Sequence, residues 1–172
     1  PVSRVLAQLA AALWLAAPVI VGGLAHIAVM RRGGFATLAA IPIDGGATVR
    51  GRRVFGDNKT LRGVVLLILF SALAAEAQAW LVMHASWARA VSVAGTAGLP
   101  AWAWGALLAT GYLAGELPNS FVKRQLDIAP GAGGRGVLGP SFWVIDQVDS
   151  LLGAMAAVAL VWRPPLSLVA AA

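Results

Sequence analysis

Apolar residues gather into four long runs, at 5–30, 64–83, about 100–116 and 142–162. Each reaches the roughly 17–25 residues that an α-helix needs to cross a bilayer. A weaker apolar region, 87–99, is expected to lengthen the third run or to lie at the interface. The first run is far longer than the roughly 7–15-residue core of a secretory signal, and Arg31 and Arg32 close it, so it reads as a retained span. Pro18, Gly22 and Gly23 are expected to kink it. The pattern predicts an all-α integral membrane protein. Its fold is a bundle of four or five transmembrane helices, with two polar loops forming a site, in a single domain covering 1–172.

Charge orients the bundle. Loop 31–62 carries Arg31, Arg32, Arg50, Arg52, Arg53, Lys59 and Arg62, and loop 117–141 carries Lys123, Arg124 and Arg135. The opposite side has only Arg4, Arg89 and Arg163. Short cytoplasmic loops collect Lys and Arg, so both basic loops are expected in the cytoplasm, in a multi-pass protein of the cell (inner) membrane. Composition agrees: 59% of the 172 residues are hydrophobic, 12% are charged, and mean hydropathy is +0.80. The net charge of +6 suits anionic headgroups or an anionic substrate. Nucleic-acid binding is a poor fit, because the cations sit in membrane-flanking loops. With no cysteine there is neither a disulfide nor a thiolate metal site.

The most informative polar segment runs from Arg52 to Gly63. It packs Arg52, Arg53, Lys59 and Arg62 with Asp57, Asn58 and Thr60 between two apolar runs. Lys and Arg neutralise phosphate oxygens, and glycine lets backbone N–H groups approach an anion. An Asp among them repels phosphate unless a cation bridges the two, which points to a metal–nucleotide site at a membrane surface. Asp146 and Asp149 are the second strong feature. Three residues apart on a helix, they share a face, and Gly153 leaves that face bare. Two such carboxylates suit Mg²⁺, which takes one or two acids plus waters and phosphate oxygens. The bland alternative is a pair of helix N-terminal acids favoured by the dipole.

Around Asn119, loop 117–141 predicts a short helical turn. Asn119 or Ser120 would cap it, and Ser120, Lys123 and Arg124 would share a face toward phosphate. Gly131, Gly133, Gly134 and Gly136 suit a loop that hugs a ligand. Gly111 and Gly115 form a GxxxG pair, a weak sign of close helix packing. Glu76 lies deep in the second run with no cation at its depth, so a functional acid and a protonated, hydrogen-bonded one fit equally. His26 reads as a packing residue. Neither a Ser-His-Asp set nor a P-loop is present, which removes acyl-transfer hydrolases and P-loop ATPases.

Several segments together resemble one family. They are Ile41 through Gly46, Phe55 through Gly63, Ser120 through Arg124, Pro130-Gly131, and Asp146 through Asp149. They look like the CDP-archaeol synthases and their bacterial homologues, membrane CTP-dependent cytidylyltransferases related to the phosphatidate cytidylyltransferases. The match runs from Pro42 to Gly153, about two thirds of the chain. The resemblance implies CMP transfer from CTP to a membrane lipid phosphate, archaeol-type or phosphatidate-like, with Mg²⁺ required and pyrophosphate released. It implies Asp57, Asn58, Lys59, Thr60 and Arg62 at the nucleotide, and Ser120, Lys123 and Arg124 on phosphate. Asp146 and Asp149 would hold metal, and Lys59, Asp146 and Asp149 would be the catalytic set. It also implies CTP over ATP. The chain departs from the family in carrying Leu61 where relatives have Trp, and relatives carry one more C-terminal span. The rival reading is a non-catalytic membrane protein whose basic loops bind anionic headgroups. It leaves Asp57, Asp146 and Asp149 among the cations unexplained.

Overall fold

A computed structural model describes residues 2–92, 98–129, 132 and 139–162. The Pro130-Gly131 pair, Gly133, Gly134, Arg135, Gly136 and Arg163 lie outside the described residues. Four long helices dominate: α1 (Val2–Arg31), α3 (Leu61–His84), α5 (Ala101–Gln125) and α6 (Gly139–Val161). Short helices α2 (Ala36–Ala39) and α4 (Ser86–Val91) and a two-stranded hairpin, β1 (Thr48–Val49) and β2 (Arg52–Arg53), lie in the connections. Among the described residues, two helices, Arg4–Arg31 and Leu61–His84, are long and apolar enough to cross a membrane.

α3 is the hub, packing against α1 on one side and α5 on the other, and α5 packs against α6. Small residues set these distances. Ser71 of α3 is fully buried. A Cβ on Gly22 of α1 would fall 2.8 Å from the Ser71 nitrogen, and one on Gly105 of α5 would fall 2.9 Å from Ala72 Cα. The α5–α6 crossing is as close, since a Cβ on Gly153 would sit 2.6 Å from Gly115 Cα. The GxxxG pair is therefore a packing face, matched by glycine across the contact. Beyond it lies a core of Trp104, Leu108, Ala154 and Val158, with Trp162 edge-on to Trp104. Many large apolar side chains face outward, among them Leu6, Leu24, Leu73, Met83, Leu152 and Leu160. Exposed grease on this scale needs an apolar solvent.

Two polar residues of α3 have structural partners. Pro18 sits inside an unbroken α1 and lacks the N–H that would have met the Trp14 carbonyl. Gln78 donates to that carbonyl at 2.7 Å instead. Glu76 accepts the Trp102 N–H at 2.9 Å, so it caps the start of α5 from a neighbouring helix.

One expectation needs correction, and two others gain detail. Residues 117–125 are helix, not loop: α5 continues through Pro118, so neither Asn119 nor Ser120 caps a new turn. For 87–99 the sequence leaves two readings open; among the described residues its first part belongs to the separate α4, which does not continue into α5. The 31–62 connection is not wholly irregular. Arg50 (φ 54°) and Gly51 (φ 77°) both adopt the left-handed conformation that a tight two-residue hairpin turn demands.

Candidate functional site

The first basic loop is built around Asp44. Its Oδ2 accepts from the N–H groups of Phe55 (2.9 Å) and Gly56 (3.3 Å). Its Oδ1 accepts from Gly46 N–H (3.0 Å) and Arg53 Nη2 (2.7 Å). The side chain is only 2% exposed. Burial alone would raise its pKa, but the donors from Phe55, Arg53, Gly46 and Gly56 outweigh it and hold the carboxyl at about 2. The acid is thus a structural keystone for the loop. Because the folded pKa lies below the ordinary 3.8, its contribution is complete above that value and fades as pH falls toward about 2. Asp44→Ala strands four donors, and about 2–4 kcal/mol of loop stability should go with them. Faster amide exchange at Phe55 and Gly56, with no change in the core of α3, is the expected readout.

Beside this knot the chain pairs with itself. Ile43 N–H donates to the Lys59 carbonyl at 2.9 Å and Leu61 N–H to the Ile41 carbonyl at 2.8 Å. Thr60 then caps α3 by accepting from Gly63 N–H at 3.4 Å. These bonds fix the backbone of Lys59, whose ammonium reaches across to Glu116 of α5 in an ion pair.

The second basic segment is the end of α5. That end closes with a Schellman arrangement: Ile128 N–H meets the Lys123 carbonyl at 2.9 Å, Asp127 N–H meets the Arg124 carbonyl at 3.2 Å, and Asp127 takes φ 57°. Arg52 docks here, binding the Gln125 carbonyl and the Asp127 carboxylate, and Gln125 Nε2 donates to the Arg53 carbonyl at 3.3 Å. The two polar segments therefore meet at one end of the bundle.

Between them runs a continuous polar network. Asn119 Nδ2 donates to Asp146 Oδ1 (2.6 Å) and to Asp149 Oδ2 (2.7 Å), so both acids do share a face. Lys123 Nζ pairs with Asp146, 2.6 Å from Oδ2, and sits 5.6 Å from the Phe142 ring centroid. The Ser150 hydroxyl lies 3.1 Å from Glu116 Oε1 and 3.0 Å from Asp149 Oδ1, linking the acid pair to Glu116 and so to Lys59. Asp146 and Asp149 stand well inside α6, which starts at Gly139 and has no acid in its first turn, so the helix-dipole explanation loses its footing.

The remaining sequence candidates divide. Arg62 donates to the Gly34 carbonyl at 3.2 Å and leaves its Nε buried without a partner. Arg124 is 8% exposed, and its Nε and Nη1 have no acceptor. Ser120 lies four residues before Arg124 on α5, with no side-chain hydrogen bond among the described residues. Asp57 is 82% exposed and pairs with Arg53 rather than with the network, and Asn58 is also exposed. Glu116, Asn119, Ser150 and Asp44 escaped sequence reasoning as site residues. Glu116, Asn119 and Lys123 do stand at helical spacing opposite Asp146, Asp149 and Gly153; continuing α5 past Pro118 would have exposed that stripe.

No three His, Cys, Asp or Glu side chains gather into a metal-sized cluster among the described residues. A magnesium ion does not need three acids. The Asp146/Asp149 pair offers hard oxygens, and beside it the buried Asn119 Oδ1 has no hydrogen-bond partner. Lys59 and Lys123 face Glu116, Asp146 and Asp149, which leaves one negative charge in excess. That donor set and that charge fit a divalent cation.

A helical bundle with an outward apolar surface and a charged network at one end defines an all-α membrane protein with a polar site. A solved structure described as "Structural insight into an intramembrane enzyme for archaeal membrane lipids biosynthesis" is similar, with a TM-score of 0.60 and 26% identity over 93% of this chain and 84% of that one. The chain belongs to the CDP-archaeol synthase family: the family described as CarS-like, CDP-archaeol synthase, matches residues 5–171. Among relatives, the CDP-archaeol synthase of Methanococcoides burtonii is 37% identical over 66% of this chain and 62% of its own. That of Halobacterium salinarum is 36% identical over 69% and 59%. That of Aeropyrum pernix is 35% identical over 76% and 65%. The chain spans about three fifths of the length of the curated relatives it matches.

Proposed function

We propose that this chain is a CTP:lipid-phosphate cytidylyltransferase of the cell membrane. It transfers CMP from CTP to an archaeol-type or phosphatidate-like lipid phosphate. An oxygen of the lipid phosphate attacks the α-phosphorus of CTP, the bond to the β-phosphate breaks, and pyrophosphate leaves. Family membership supports the reaction. The observation that carries the site is the Asn119 amide joining Asp146 and Asp149, with Lys123 and, through Ser150 and Glu116, Lys59 in the same network.

α1, α3, α5 and α6 are the four spans, with the network at the cytoplasmic face. Lipid tails stay in the bilayer while the headgroup meets the nucleotide. Lys59 and Lys123 take phosphate charge, and Arg62 and Arg124, with buried N–H groups free, accept more of it. The lipid phosphate is already a nucleophile, so the chain needs positioning and charge neutralisation rather than a strong base. Asp146 and Asp149 would hold Mg²⁺, which would supply charge neutralisation to the phosphate oxygens.

Pyrophosphate release from the purified chain tests this. It should require CTP, Mg²⁺ and a lipid phosphate together, and ATP should not replace CTP. Equal release with ATP removes the cytidylyltransferase reading. Binding to lipid headgroups that ignores divalent metal and weakens smoothly with salt, with no release under any condition, restores the headgroup binder.

A further inference from the structure

Both lysines of the network are already committed. Lys59 is paired with Glu116 and Lys123 with Asp146. Both pairs are largely enclosed, with side-chain exposures of 19% and 24% for the first and 10% and 34% for the second. Ser150 holds the second oxygen of Glu116, so this acid is fixed on two sides. Glu116 joins the Asp146/Asp149 pair through the Ser150 hydroxyl rather than through Asn119, and the proposed reaction gives it no direct task. An arriving triphosphate meets lysines occupied by carboxylates, in a network with a negative charge to spare.

The geometry points to Glu116 as a positioning residue that withholds Lys59 from metal-free nucleotide, so that the site accepts a nucleoside triphosphate only as its divalent-metal complex. A bare triphosphate must displace Glu116 from Lys59 and then lie beside the carboxylate it displaced, a like-charge contact in a poorly hydrated place. A metal-complexed triphosphate brings positive charge that offsets the acids, and the exchange of Lys59 from carboxylate to phosphate then runs between near-equal partners. The inference rests on the nucleotide reading proposed above and adds the form in which the nucleotide is admitted.

Equilibrium dialysis of CTP against the full chain in detergent tests it, once in Mg²⁺ and once in EDTA. Wild type should bind in Mg²⁺ and bind far more weakly in EDTA. Glu116→Gln removes the withholding charge and should tighten the EDTA arm about tenfold, leaving the Mg²⁺ arm within a few-fold. Lys59→Met should weaken the Mg²⁺ arm and leave the EDTA arm at its wild-type value, because that lysine was not on offer. The double variant should lose the gain of Glu116→Gln. An EDTA arm unmoved by Glu116→Gln, or a gain that survives in the double variant, overturns the inference. Lys59→Met weakening both arms equally overturns it too, and needs no folded Glu116 variant. Wild type that binds no CTP in either arm overturns the nucleotide reading itself, a different outcome from Mg²⁺-dependent binding that Glu116→Gln fails to change.

Discussion

Asp149→Asn should lower CDP-lipid formation by about 10²–10³-fold, a loss of about 3–4 kcal/mol of transition-state stabilisation. The substitution removes one charge from the pair and almost nothing else. Asp149 Oδ2 accepts from Asn119 Nδ2 at 2.7 Å, and Asn119 Oδ1 lacks a partner. Asn119 Nδ2 still donates to Asp146 Oδ1, and the oxygen of the amide introduced at position 149 still accepts from Ser150 N–H, so the α5–α6 contact keeps a hydrogen bond. Folding and insertion should therefore survive while turnover collapses, and raised Mg²⁺ should recover part of it. Turnover near wild type with unchanged Mg²⁺ dependence would remove both acids from the metal role.

Gly153→Val should do the opposite, damaging the fold first and the chemistry as a result. Its new Cβ would sit 2.6 Å from both the nitrogen and the Cα of Gly115 and run into the Gly111 carbonyl. Neither obstacle is a side-chain tip that can swing aside. The helices must part, at a cost of about 3 kcal/mol by the usual penalty for overpacking. Asn119 stands one turn beyond Gly115, so the separation also draws its amide off the two carboxylates. A lower midpoint of thermal unfolding in detergent, with Gly153→Ala in between, is the expected series. An unchanged midpoint would mean that α5 and α6 do not cross at this point.

How legible the molecule was in its sequence differs from residue to residue. Asp146, Asp149 and Gly153 could be read because helical spacing survives any tertiary context: carboxylates three apart must share a face. The meeting of the two basic segments followed from charge. Asn119 and Glu116 were hidden by Pro118, since proline argues for a helix end and here it sits inside α5. The hairpin was hidden because its turn places Arg at a left-handed position, where Asn, Asp or Gly is the usual signal. Asp44 lies in a quoted motif, yet nothing in the motif says that the acid serves the loop backbone rather than a ligand. Glu76 left two readings equally open, a functional acid and a hydrogen-bonded one. Its partner is a backbone N–H on α5, which no one-dimensional pattern announces.

The Gln78–Trp14 bond bears on how the chain enters the bilayer. Pro18 leaves the Trp14 carbonyl bare in the middle of the first helix, and hydrocarbon offers nothing to satisfy it. The donor sits on α3, more than sixty residues later in synthesis. Hydropathy alone makes α1 long and apolar enough to cross a membrane by itself. Its backbone makes it half of a pair, best released from the insertion machinery together with α3 rather than ahead of it.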